Sequence, residues 1–149
     1  MRKRRVLVGI AGIVGLLIVA GCATMPPPDE ARFKADLVGT WVNPEYEEGD
    51  MFAYPIIEIR PDLTMTQYRQ DDPMPAVIRM TFVKGRVDRD GNSHYTLDAA
   101  ASWGAGFVVF KLHPDQTLEF VYACNLQPGW DYPEEVDPDA GIYGIYTRK

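Results

Sequence analysis

Ile57-Glu58-Ile59-Arg60-Pro61-Asp62-Leu63-Thr64-Met65-Thr66 decides the fold. Apolar and polar side chains alternate on both sides of a Pro-Asp pair. Alternation with period two marks a strand with one buried face. Proline presets the backbone for a turn, and aspartate hydrogen-bonds its own following backbone. The segment therefore reads as a β-hairpin. The same solution recurs 53 residues later, in Phe110-Lys111-Leu112-His113-Pro114-Asp115-Gln116-Thr117-Leu118-Glu119. A third turn, Asp88-Arg89-Asp90-Gly91-Asn92, separates strands expected over Ala76–Val87 and Ser93–Ser102.

Further strands are expected over Gly39–Asn43, Phe107–Leu112, Leu118–Asn125 and Gly141–Arg148, about eight in all. Asp29 can cap a short helix reaching Leu37, with Phe33 and Leu37 spaced four apart on one face. No longer helical pattern follows. The fold class is all-β, and an antiparallel up-and-down barrel is expected because closure removes exposed edges. A β-sandwich is the competing arrangement.

The N-terminus has a different character. Arg2-Lys3-Arg4-Arg5 precedes an uncharged apolar run of 15 residues, Val6 to Ala20. A bilayer span needs about 20 residues. A basic start, a short apolar middle and a small-residue exit are the marks of a secretory signal. The exit, Val19-Ala20-Gly21-Cys22, resembles the lipobox of bacterial lipoproteins. That resemblance implies cleavage after residue 21, lipidation of Cys22 with acyl chains such as palmitate, and a place in the bacterial cell envelope. Two or more chains give stable anchoring. Ala23, where an aspartate would favour inner-membrane retention under the enterobacterial rule, leans towards the outer membrane with a periplasmic domain. Residues 22–31 then form a proline-rich tether, with Pro26-Pro27-Pro28 in extended conformation. The domain occupies residues 32–149.

Four of the 15 basic residues and none of the 21 acidic ones lie in residues 1–21, so the remainder holds 11 against 21, a net charge of −10. Such a surface has no basic stripe for nucleic acid. Membrane attachment is expected through the lipid and not through surface charge. With Cys22 acylated, Cys124 has no second cysteine with which to form an intramolecular disulfide.

Leu37-Val38-Gly39-Thr40-Trp41, a Gly-x-Trp after a short helix and at the first strand, resembles the lipocalin and lipocalin-like families. The resemblance implies that Trp41 packs across a closed barrel base and that a late-strand arginine, here Arg148, stacks over it. The Thr-Asp-Tyr signature of larger lipocalins is missing, so the likeness reaches architecture and not a particular ligand.

The expected ligand-binding residues are Trp41, Phe52, Tyr54, Met80, Phe82, Phe120 and Tyr122. They would line a barrel able to hold one small apolar or amphipathic molecule. A filled hydrophobic core is the alternative. A second candidate is the loop Gln127–Ala140, where Trp130 and Tyr132 sit among acids and prolines and could meet an envelope protein or inhibit an enzyme. The acidic loop Glu45–Asp50 is expected at the same end. His94 and His113 read as solvated turn residues, too few for a metal site. Asp88–Asn92 fails the calcium-loop spacing and reads as a turn. Nucleophile elbows, zinc-protease motifs and phosphate loops are all missing, so neither enzyme activity nor a cofactor is expected.

Overall fold

The computed structural model describes residues 25–48, 54–69, 74–124 and 131–149. The expected signal segment, Cys22, Phe52 and Trp130 lie outside the described residues. Helix α1 spans Glu30–Leu37, and the strands are β1 (Gly39–Val42), β2 (Ile56–Ile59), β3 (Thr64–Tyr68), β4 (Ala76–Val87), β5 (Ser93–Ala101), β6 (Gly104–Leu112), β7 (Thr117–Cys124) and β8 (Ile142–Arg148). Each strand pairs antiparallel with the next, and β8 returns to β1 to close the barrel. The up-and-down arrangement, and not the sandwich, is the fold.

Asp29 caps α1 by accepting from the Arg32 backbone N–H at 2.9 Å, satisfying a donor the helix itself cannot. Eight residues make a marginal helix in isolation. Burial of Phe33 and Leu37 under the barrel holds it in place.

The three turns at the helix end are built alike. In each, two backbone hydrogen bonds close the loop, Arg60 N to Thr64 O and Leu63 N to Arg60 O in the first, with equivalents at Asp88–Asn92 and His113–Thr117. In each, an aspartate side chain collects a backbone N–H two residues on: Asp62 from Thr64, Asp88 from Asp90, Asp115 from Thr117. One residue near the end of each turn has positive φ, Leu63 at 62°, Gly91 at 84° and Gln116 at 68°. Glycine suits that position; a leucine and a glutamine hold it in the other two.

Inward side chains make one core, including Trp41, Ile57, Ile59, Met65, Ile78, Leu97, Phe110, Leu118, Phe120 and Tyr146 together with Phe33 and Leu37 of α1. A register shift between Phe82 and Lys84 lets β4 keep Phe82 inward and turn Lys84 and Arg86 outward. Beyond the shift, Gly85 faces the Pro28 carbonyl so closely that an added Cβ would lie 2.3 Å from the oxygen. The segment before α1 thus runs tight beneath the barrel, against Val87 and Ser93. Among the described residues, the core residues and the strand pairings of the closed barrel fall within residues 33–148.

A second, smaller cluster lies on the outer wall: Phe107, Val109, Val121 and Ala123, covered by Tyr132 and Val136. The loop before β8 folds back as a strap across this face. Thr96 Oγ1 donates to Pro133 O at 2.9 Å, Arg86 donates to Glu134 O and to the Glu135 carboxylate, and Lys84 pairs with Glu134.

Candidate functional site

The helix end of the barrel is shut. Trp41 is fully buried, and its indole N–H donates to Leu37 O at 2.9 Å. The Arg148 guanidinium lies over the ring, 4.6 Å from its centroid, and donates to the backbone carbonyls of Val38 and Asp36. The stacking expected from the Gly-x-Trp resemblance is present. Trp41 therefore sits in the closure itself, away from the loop end.

Above this closure the interior is aromatic. The Phe33 ring stands 5.4 Å from Tyr95, 5.8 Å from Phe110 and 6.4 Å from Phe82. Phe110 meets Phe120 at 6.0 Å, and Phe120 meets Tyr146 at 5.3 Å. Such offset and tilted pairs suit the quadrupoles of the rings. Of the expected ligand-binding residues, Trp41, Met80, Phe120 and Tyr122 belong to the interior cluster, and Tyr54 and Phe82 pack against it. Six of the seven are thus brought together; the seventh, Phe52, lies outside the described residues.

Towards the loop end the interior changes character. Tyr122 is buried, and Trp103 of the β5–β6 turn leans edge-on against it with ring centroids 6.4 Å apart. Trp103 itself stays 42% exposed. Arg69 lies over the Tyr54 ring at 4.8 Å. Gln67 is completely buried on the inward side of β3, since it pairs with Ile57 just as Met65 pairs with Ile59. Neither amide atom of Gln67 has a hydrogen-bond partner, and nor does the Tyr122 hydroxyl. Burial pushes that hydroxyl up to about 12, with Cys124 adding to the shift; the Trp103 indole draws it back without reaching hydrogen-bonding geometry. Leaving a buried polar group unmet costs about 1–3 kcal/mol, so these atoms mark a place where the interior is not merely apolar packing.

Tyr132 is not a free loop aromatic. It is half-buried on the outer wall, and its hydroxyl donates to Asp98. It belongs to the strap; Trp130 lies outside the described residues. Glu45 follows β1 and so stands at the end where β7 stops, whereas residues 132–136 run along the outer wall as the strap, with Glu134 and Glu135 reaching Arg86.

His94 departs from the expectation of a solvated turn residue. It is 3% exposed, and its Nε2 lies 2.8 Å from the Asp88 carboxylate. Asp88 also takes the Asn92 side-chain and backbone N–H groups. These partners, His94 foremost, hold its carboxyl well below the usual carboxylate range. His113, in contrast, sits in a turn as expected and bonds to Glu119. Burial alone would raise Glu119, but His113, Tyr143 and Lys111 outweigh it and lower it.

Sequence reasoning passed over Gln67, Arg69 and Trp103. The usable signal for Gln67 was its register: alternation from Met65 places it inward, where a long polar side chain is out of pattern.

No known family model, no curated protein and no solved structure matches this chain.

Proposed function

We propose that this chain is a lipid-anchored envelope lipoprotein whose lipocalin-like barrel binds a small apolar or amphipathic molecule from its loop end. The observation that carries the reading is the asymmetry of the interior: Trp41, Arg148 and α1 close one end, while the buried side chains gathered towards the other include a polar set without partners. Cys22 is the lipidation site, and residues 22–31 are the tether that joins it to the domain. We read the protein as a binder, not an enzyme, on the outer membrane with its domain in the periplasm.

Native mass spectrometry of residues 25–149, purified from the envelope without detergent, tests the binding. A reproducible added mass, released by organic solvent and identified as one lipid class, supports it. A bare mass, with no uptake from an envelope lipid extract, refutes it and turns attention to protein partners. Labelled palmitate incorporated into the wild-type chain but not into Cys22→Ala tests the anchor separately.

A further inference from the structure

We propose that Gln67 and Tyr122 are the polar recognition point of the barrel interior, and that the molecule they recognise is a single-chain amphiphile ending in a carboxylate. This deepens the binding reading above and rests on it. In a closed ring of eight strands, β3 and β7 are four steps apart in either direction and so form opposite walls. Gln67 and Tyr122 therefore approach the interior from opposite sides. Both are at least 99% buried, and among the described residues neither side chain has a hydrogen-bond partner.

The chemistry of the set is specific. The amide offers two N–H donors and the phenol one O–H donor. The phenol is protonated at neutral pH, as any tyrosine is, and burial disfavours its anion further. One inward position further along β3, past its end, Arg69 supplies a permanent cation beside Tyr54, at the edge of the same interior cluster. In the opposite direction the walls are Met65, Ile59, Met80 and Leu118, wholly apolar, with two methionines able to repack around a flexible chain. The interior thus grades from apolar to hydrogen-bonding to cationic towards the loop end. An acyl carboxylate has the same gradient. Its oxygens accept from Gln67 Nε2 and the Tyr122 hydroxyl, with the Arg69 guanidinium at the edge of the same cluster. A methyl ester keeps the chain but loses the charge and one accepting oxygen's strength.

Fluorescence titration with cis-parinaric acid and with its methyl ester, on residues 25–149, tests this. The wild-type domain is expected to bind the acid at least about tenfold more tightly than the ester, as sites built around hydrogen bonds discriminate against analogues that lack them. Gln67→Met and Tyr122→Phe should each weaken the acid several-fold, leave the ester unchanged and keep or raise the melting temperature. Equal binding of acid and ester by the wild-type domain would overturn the recognition point while the binding barrel stood. Undiminished preference for the acid in both variants would overturn it equally. Binding of neither probe would refute the barrel reading itself. Should a variant fail to fold, the wild-type ratio of acid to ester still decides.

Discussion

Replacing Phe33 by alanine tests how the barrel is shut. Phe33 is fully buried although it belongs to an eight-residue helix, and its ring touches three others, from β4, β5 and β6. Phe→Ala in a core costs about 3–5 kcal/mol from lost transfer energy and the cavity left behind. Each aromatic pair adds about 0.5–1.5 kcal/mol beyond its area. The helix, too short to persist alone, loses one of its two buried anchors. The expected loss is therefore in the upper part of the range, about 4–5 kcal/mol. At roughly 4 °C per kcal/mol for a domain of this size, the melting temperature should fall by about 16–20 °C. Urea and thermal unfolding of residues 25–149, followed by near-ultraviolet circular dichroism, measure it. Phe33→Leu, which refills most of the volume, should cost about 1.5 kcal/mol or less. A loss below about 1 kcal/mol for Phe33→Ala would show that α1 does not plug the barrel.

Other expectations follow from the turns, the strap and the Asp88–His94 pair. Gln116→Gly should stabilise the domain by about 0.5–1 kcal/mol, since an exposed side chain leaves a left-handed position. Leu63→Gly, at the equivalent position, should instead destabilise by about 1–2 kcal/mol because that side chain is buried; equal effects in chemical unfolding would disprove the distinction. Tyr132→Ala should cost about 2 kcal/mol. Removal of Glu134 or Glu135, whose side chains are well exposed, should cost under about 1 kcal/mol. A strap released by 1 M salt, seen as new protease cleavage near residue 133, would reverse that order. The Asp88 carboxyl ionises more readily in the folded chain than the ordinary value of about 3.9. Its stabilisation is thus complete above about pH 4 and is lost as pH falls through the lower folded value. Asp88→Asn should lower stability at pH 7, and the gap to wild type should narrow below pH 4; an unchanged gap at pH 2 would refute the coupling.

The hairpins were legible because their information is local. A Pro-Asp turn and alternating flanks lie within ten residues, and β2–β3 and β6–β7 form as that pattern dictates. Trp41 was legible in identity, through Gly-x-Trp, but its place in the closure became clear only when Arg148, over a hundred residues away, came to rest on it. The strap was not legible. Its contacts join Lys84, Arg86 and Thr96 to residues 37 to 50 positions away, and a loop's composition does not say which wall it covers. A signal did exist: Phe107-Val108-Val109-Phe110 and Val121-Tyr122-Ala123 are unbroken apolar runs on neighbouring strands. Such runs require cover on both faces. The burial of His94 was hidden for the same reason, since alternation puts it outward, yet Asp88 and the neighbouring strands enclose it.

The closure between β1 and β8 rests on two register pairs, Trp41 with Arg148 and Val42 with Thr147, whereas β4 and β5 are joined along almost their whole length. Every other ladder links consecutive strands, and this seam alone joins the first strand to the last. A cylinder zipped so unevenly breathes along one line. Amide exchange should be fastest in β1 and the end of β8 and slowest in β5 and β6. The same line meets the end of α1, where Arg148 holds the Asp36 and Val38 carbonyls, so any opening would begin beside that helix. The helix end of the barrel is thereby also its least cooperative part, and strain applied through the segment before α1 would be felt there before it reached the interior.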